Sequence, residues 1–225
     1  MNSSPVHSTQ TSIHADLERL VLKHAQTTYL RPIPAFSRLV FEEIVRSIDS
    51  APESRIILDS CCGTGESTAF LASTNPHCYV IGLDKSALRT KKHNAQELKQ
   101  ECSNYGVWRA DVEDLWRLLG EYLAASGRSI EKHYCLYPNP YPKPHHILRR
   151  WHGHPLFSEM LRLSAETELR TNWRLYAEEF TQAASILGYK ASLEEFCPDE
   201  PMTAFERKYH ASGHPLFRVS VFRNK

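Results

Sequence analysis

No hydrophobic stretch approaches the roughly 20 residues that a bilayer crossing requires, because charge interrupts every apolar run within about ten positions. A soluble chain without a transmembrane helix is therefore expected. The six cysteines, at 61, 62, 78, 102, 135 and 197, lack the paired short spacing of a zinc site, and the amino terminus does not resemble a secretion signal. Reduced thiols in the cytoplasm follow as the simplest expectation. Charge of one sign is also missing: 27 Lys and Arg stand against 26 Asp and Glu, a formal net charge of +1. No global field then draws the chain to a polyanion, so a nucleic acid partner must be held by a local concentration of Lys, Arg and His. Repeats are absent as well.

What is present is one domain's worth of chain. The 225 residues, 41% hydrophobic and 24% charged, can bury one substantial core and are too few for two ordinary domains and a linker. Residues 1–15, rich in Ser, Thr and His, have little to bury and read as a mobile tail. Residues 16–52 read as a helical extension, in which Leu17, Leu20, Val21 and His24 space one short helix and Phe36, Leu39, Val40, Ile44 and Ile48 a second.

From residue 53 to 225 apolar strands alternate with helical patterns. Strands are expected at Arg55–Asp59, Tyr79–Leu83, Gly106–Ala110, His133–Tyr137, Thr167–Arg170 and Leu216–Phe222. Helices are expected over 66–71, 85–102, 115–123, 156–163 and 173–187. This order predicts an α/β fold, a doubly wound and mostly parallel sheet with helices on both faces and the final strand antiparallel at or near one edge.

The chemistry-bearing residues sit where such a sheet places its ligands, past the carboxyl ends of the strands. After the first strand, Gly63-Thr64-Gly65 lets the backbone approach a ligand, and the helix behind it offers N–H groups and a positive dipole end. The third glycine of the dinucleotide fingerprint is absent, since Ser67 and Thr68 follow Glu66. Asp84 ends the second strand 25 residues beyond Asp59, where a carboxylate either accepts both ribose hydroxyls or caps the next helix. Asp111 ends the third and either accepts from an adenine amino group or caps its helix. Three acidic strand ends beside one glycine turn suit a nucleoside. The fourth strand stops at Pro138-Asn139-Pro140-Tyr141-Pro142-Lys143-Pro144, whose missing N–H groups forbid further pairing. Trp108, Trp116, Trp173 and Tyr176 lie in apolar patterns and belong to packing, and Gly213 and His214, which close the segment after Glu206, either lie near the site or form a turn into the last strand.

Taken together, these residues resemble a family. Asp59-Ser60-Cys61-Cys62-Gly63-Thr64-Gly65-Glu66 is similar to the cofactor loop of S-adenosylmethionine methyltransferases. Tyr137-Pro138-Asn139-Pro140-Tyr141-Pro142-Lys143-Pro144-His145-His146, followed by Arg149-Arg150, resembles the Phe-Pro-Asp-Pro-Trp-Pro-Lys loop and basic stretch of the tRNA guanine-N7 methyltransferases. Thr171-Asn172-Trp173 with Tyr176-Ala177-Glu178, and Thr203-Ala204-Phe205-Glu206-Arg207, match two further blocks in the same order.

The resemblance implies S-adenosylmethionine held by Asp59, Gly63, Gly65, Glu66, Asp84, Asp111 and Asn139. It implies Asn139, Asn172, Thr203 and Glu206 facing the methyl group and the acceptor, with tRNA on Lys143, His145, His146, Arg149 and Arg150. The histidine-rich stretch also reads as a solvated helix start or, without a carboxylate or cysteine at matching spacing, as a poor metal site. The chain departs from the family at Cys61, where a glycine is usual, and at Asn139 and Asn172, where aspartates are usual. An amide both donates and accepts, so adenine or cytosine acceptors, a small-molecule acceptor and a degenerate RNA-binding member without turnover remain alternatives. The oligomeric state is not legible.

Overall fold

The computed structural model describes residues 3–95 and 102–223. In chain order the helices are α1 (Leu17–Ala25), α2 (Ala35–Asp49), α3 (Glu66–Thr74), α4 (Ala87–Ala95), α5 (Val112–Ser126), α6 (Phe157–Arg162), α7 (Arg174–Ile186) and α8 (Ala204–Ala211). The strands are β1 (Arg55–Ser60), β2 (Cys78–Asp84), β3 (Tyr105–Arg109), β4 (Ile130–Leu136), β5 (Ser164–Thr171), β6 (Lys190–Phe196) and β7 (Leu216–Phe222). Short 3-10 turns cover Pro144–Arg149 and Trp151–Gly153. The chain divides into two compact units, Arg31–Leu136 with Leu163–Ala165, and Met1–Leu30 with Tyr137–Arg162 and Glu166–Lys225.

In the first unit four parallel strands stand in the order β3-β2-β1-β4. The centres of β1 and β2 are near-continuous buried apolar runs, Ile56-Ile57-Leu58 and Val80-Ile81, as strands covered on both faces require, whereas β3 is half-buried. The chain moves outward from β1 to β2 to β3 and then returns to the other side of β1. Right-handed crossovers in opposite directions put their helices on opposite faces, which is the doubly wound arrangement, and leave a crevice at the carboxyl ends of β1 and β4. Asp111 starts α5 by accepting from Glu113 N at 3.1 Å, and Gly127, with φ 71°, ends it. Helix α2 buries Val40, Ile44 and Ile48 at four-residue spacing, while Phe36 and Leu39 stay exposed. The helix expected over 85–102 is α4 to Ala95; the next six positions lie outside the described residues.

In the second unit the strands are antiparallel, in the order β5-β7-β6, with Leu169 opposite Val219 and Val219 opposite Leu193. The last strand is thus antiparallel as expected, but β6 lies outside it. Both β6 and α8 escaped the sequence reading. β6 alternates only half-buried and exposed positions, and the one buried residue of α8 is Glu206, so neither carries an apolar stripe. The stretch before α1, to which the sequence assigns no structure, is held by polar groups instead of apolar burial: Ser3 N donates to Ser212 Oγ at 2.9 Å, Ser8 Oγ to Pro142 O at 2.5 Å, and Gln10 Nε2 to Glu179 Oε1 at 2.6 Å.

Candidate functional site

The first unit gathers Asp59, Gly63, Gly65, Glu66 and Asp84 at the carboxyl edge of β1 and β2. Asp59 and Ser60 end β1 with no exposure worth the name, and the chain then turns through Cys61 at φ 63°, Gly63 at 65° and Gly65 at 78°. Cys61 therefore takes the left-handed backbone that suits the family's glycine, side chain and all. Cys62 N donates to Leu83 O and Gly65 N to Cys62 O, both at 3.0 Å, which folds the loop against β2. A Cβ at Gly63 would meet nothing within 4 Å, so space lies open there; a Cβ at Gly65 would come within 2.6 Å of His93 Nδ1 and 2.8 Å of Val107 Cγ2. One glycine thus leaves room for a ligand and the other permits packing.

Asp59 Oδ2 accepts from Ser67 Oγ at 2.6 Å and Thr68 Oγ1 at 2.7 Å, whereas its buried Oδ1 has no partner. Burial pushes this carboxyl up to about 6, aided by the Asp84 charge and opposed by the two hydroxyl bonds. An unsatisfied buried acceptor beside an open turn is costly unless a ligand donor completes it. Asp84, 2% exposed, accepts from Gly63 N through Oδ2 at 3.0 Å and from Ser86 N through Oδ1 at 2.7 Å. It shapes the loop, and Arg89 Nε stands 3.4 Å from Oδ1, so Oδ2 is the oxygen that keeps a second lone pair. Burial, then the Asp84 and Asp59 charges, pushes the Cys61 thiol up to about 12, and Cys62 also rises well above the ordinary range, so neither is a nucleophilic thiolate.

Of the two roles open to Asp111, the structure shows the cap. Its other oxygen meets Arg31 Nη2 at 3.3 Å, and Arg31 also pairs with Glu113 at 2.9 Å and Asp114 at 2.7 Å. Arg31, Asp111 and Asp114 border a cleft of 410 Å³ lined also by Phe36, Lys85 and Arg109. Beneath the turn, Ser60 Oγ binds Trp116 Nε1 at 3.0 Å and His133 Nε2 at 2.8 Å, so Trp116 does belong to the core.

The second unit carries the proline loop, and here two more non-glycine residues are left-handed, Tyr137 at φ 51° and Tyr141 at φ 44°. Asn139 is exposed, and its Oδ1 accepts from Tyr141 N at 3.2 Å, an Asx turn. Glu206 is fully buried: Oε1 accepts from Tyr137 Oη at 2.8 Å and Arg170 Nη1 at 2.9 Å, Oε2 from Met202 N at 2.7 Å. Thr203 caps α8 by accepting Glu206 N at 2.9 Å. Thr203 and Glu206 are therefore joined to the start of the loop, as a brace with every carboxylate oxygen in use. Asn172 Nδ2 lies 3.1 Å from His214 Nδ1, and the His214 ring stacks on Tyr209 at 5.4 Å.

The expected RNA-binding residues separate. Lys143, His145 and Arg149 are exposed and His146 half-buried, with the Arg149 guanidinium 4.5 Å from the Tyr141 ring centre. Arg150 is wholly buried, so the expectation that it presents a cation to phosphate is corrected: a guanidinium enclosed by Glu179, Tyr141 O, Lys143 O and Trp173 has no surface to offer. Sequence reasoning also missed Ser67 and Thr68 on Asp59, Arg170 on Glu206, and Glu179. The first two follow a buried strand-end acid at one helix turn's reach, a signal that was legible; the others come from distant segments and left none.

Comparison with known proteins completes the picture. Residues 53–219 match the model of a family described as "Putative methyltransferase". A tRNA (guanine-N(7)-)-methyltransferase of Methylobacillus flagellatus is 25% identical over 91% of this chain and 87% of its own. One of Aquifex aeolicus bearing the same name is 26% identical over 72% of this chain, and the match spans 54% of that relative's length. Among solved structures, an antibiotic related methyltransferase aligns with TM-score 0.60 and 17% identity over 89% of this chain and 98% of its own. A 16S rRNA (adenine(1408)-N(1))-methyltransferase of Catenulisporales acidiphilia, solved with cosubstrate SAM, aligns with TM-score 0.56 and 15% identity over 88% and 94%. Both share the fold.

Proposed function

The chain belongs to the methyltransferase family whose model spans residues 53–219, and on that premise we propose that it transfers a methyl group from S-adenosylmethionine to N7 of a guanine in the variable loop of tRNA. One observation carries the reading. The three non-glycine residues with left-handed backbone among those described, Cys61, Tyr137 and Tyr141, all fall in the two blocks by which the sequence resembles tRNA guanine-N7 methyltransferases. Such conformations cost of order 1–3 kcal/mol each and persist where surrounding structure imposes them, typically at functional sites.

In this proposal Asp59, Gly63, Gly65, Glu66 and Asp84 hold the cofactor, while Asp111, occupied as the α5 cap and on Arg31, only borders the cleft. The lining fits: Asp59 Oδ1 lacks a partner, Gly63 borders open space, and Asp84 Oδ2 keeps a lone pair for a hydroxyl. When bound, the sulfonium supplies an electrophilic methyl group. The protein's task is alignment, because guanine N7 carries an in-plane lone pair and no proton to remove. Glu206 suits that task, since its oxygens are occupied and it need not act as a base. Asn139, with Oδ1 on Tyr141 N, offers its amide N–H groups to O6 of guanine, where adenine carries an amino donor instead, and so leaves the N7 lone pair free to attack. Asn172 holds the base's other edge, Thr203 and Glu206 keep the loop in shape, and Lys143, His145, His146 and Arg149 hold RNA phosphates.

The test is incubation of the purified protein with labelled S-adenosylmethionine and bulk tRNA. Label in tRNA is expected; none, with cofactor binding demonstrated by calorimetry, contradicts the proposal. Activity that arises only in the Asn139→Asp, Asn172→Asp double variant would identify a degenerate RNA-binding member instead.

A further inference from the structure

A loop with prolines at 138, 140, 142 and 144 has few backbone donors with which to hold itself, so its carbonyls are its handles. A guanidinium, five donors and no acceptor, is the matching group. Arg150 supplies it from complete burial: Nε and Nη2 donate to Tyr141 O at 3.2 and 3.1 Å, and Nη2 approaches Lys143 O at 3.4 Å. Its remaining face lies 4.9 Å from the Trp173 ring centre, and Nη1 donates to Glu179 Oε2 at 2.6 Å. The same Glu179 oxygen meets His152 Nε2 at 2.9 Å, while Oε1 accepts from Gln10 Nε2 at 2.6 Å and His14 N at 2.9 Å. Every contact of this buried pair is directed, and the two residues whose carbonyls it grips flank the loop's left-handed Tyr141 or include it.

We infer that Arg150, charge-balanced by Glu179, is a positioning residue for Asn139. The path is short. Arg150 fixes the Tyr141 carbonyl and so the orientation of that residue's peptide units; the Tyr141 N–H then fixes Asn139 Oδ1, leaving the Asn139 amide donors aimed by the backbone. Glu179 adds the carboxylate that makes a buried guanidinium tolerable and ties the amino-terminal segment at Gln10 and His14 to the same point. The role of Asn139 as the residue being aimed rests on the proposed methyl transfer; the control of Tyr141 by Arg150 does not.

The experiment has two arms on the full chain. In hydrogen exchange, Arg150→Lys, which keeps the charge and loses the planar fork, is expected to speed exchange of the Tyr141 amide at least tenfold while the β7 amides keep their protection. In methyl transfer to tRNA, it is expected to lower kcat at least tenfold with cofactor affinity unchanged, and to cost less than twofold when Asn139 is already Ala, the mark of action through that residue. If Arg150→Lys does not fold, Glu179→Gln replaces it with the same expectations. Unchanged Tyr141 exchange overturns the inference, as do equal losses in both Asn139 backgrounds. A parent without methyl transfer sinks the proposed function, and the exchange arm then decides this inference alone.

Discussion

At the scale of single residues, the two glycines of the cofactor turn make opposite predictions. Gly65→Ala must place a methyl group 2.6 Å from His93 Nδ1 at φ 78°, so it should lose about 2 kcal/mol or more of stability in urea unfolding. Gly63→Ala has open space and only the left-handed penalty of about 1 kcal/mol, yet it puts a methyl group into the space the proposal assigns to the cofactor. Its larger effect should be on binding, read by calorimetry with S-adenosylhomocysteine. Equal stability losses with unaltered binding would refute the division of labour. Cys61 shows how a substitution that looks damaging in the sequence is absorbed: the backbone keeps the glycine-like turn, and the thiol pushed up to about 12 stays inert. Asp111, whose two roles the sequence left open, caps α5.

At the scale of elements, β1 and β2 were legible because burial on both faces leaves continuous apolar runs such as Ile56-Ile57-Leu58. Asp59 and Asp84 were legible for the same reason, each being the acid that follows such a run. Edge elements were not: β6 shows little burial, and α8 is held by the Thr203 cap and Glu206, not by an apolar face. Glu179 on α7 was hidden because its partners come from residues 10, 14, 150 and 152. Burial would raise its carboxyl, but the His152 bond and the charges of His152 and Arg150 outweigh that and hold it at about 2. A folded value below the ordinary 4.5 adds stability that is complete above pH 4.5 and is lost as pH falls toward 2. Glu179→Gln should therefore be less stable than the parent by about 3 to 5 kcal/mol at pH 7, and the gap should narrow in urea unfolding below pH 4.5. A gap that does not change with pH would contradict the assignment.

At the scale of the whole molecule, a net charge of +1 means that the proposed RNA binding would rest on a few exposed cations. Lys143→Ala with Arg149→Ala should weaken tRNA binding and reduce the slope of log affinity against log salt by about 1 for each lost phosphate contact, while the buried Arg150→Lys leaves the slope unchanged. The converse result would return Arg150 to the RNA surface. Four sequence blocks in family order carry the functional reading; what they do not carry is which side chains brace the loop, since Glu206 and Arg150 find their partners in distant segments. The most direct measurement of the central claim is the position of the methyl group: tRNA treated with the protein and S-adenosylmethionine, then reduced and cleaved with aniline, should break at one variable-loop guanosine. Cleavage absent there, with label recovered on another base or on no RNA at all, would contradict the account.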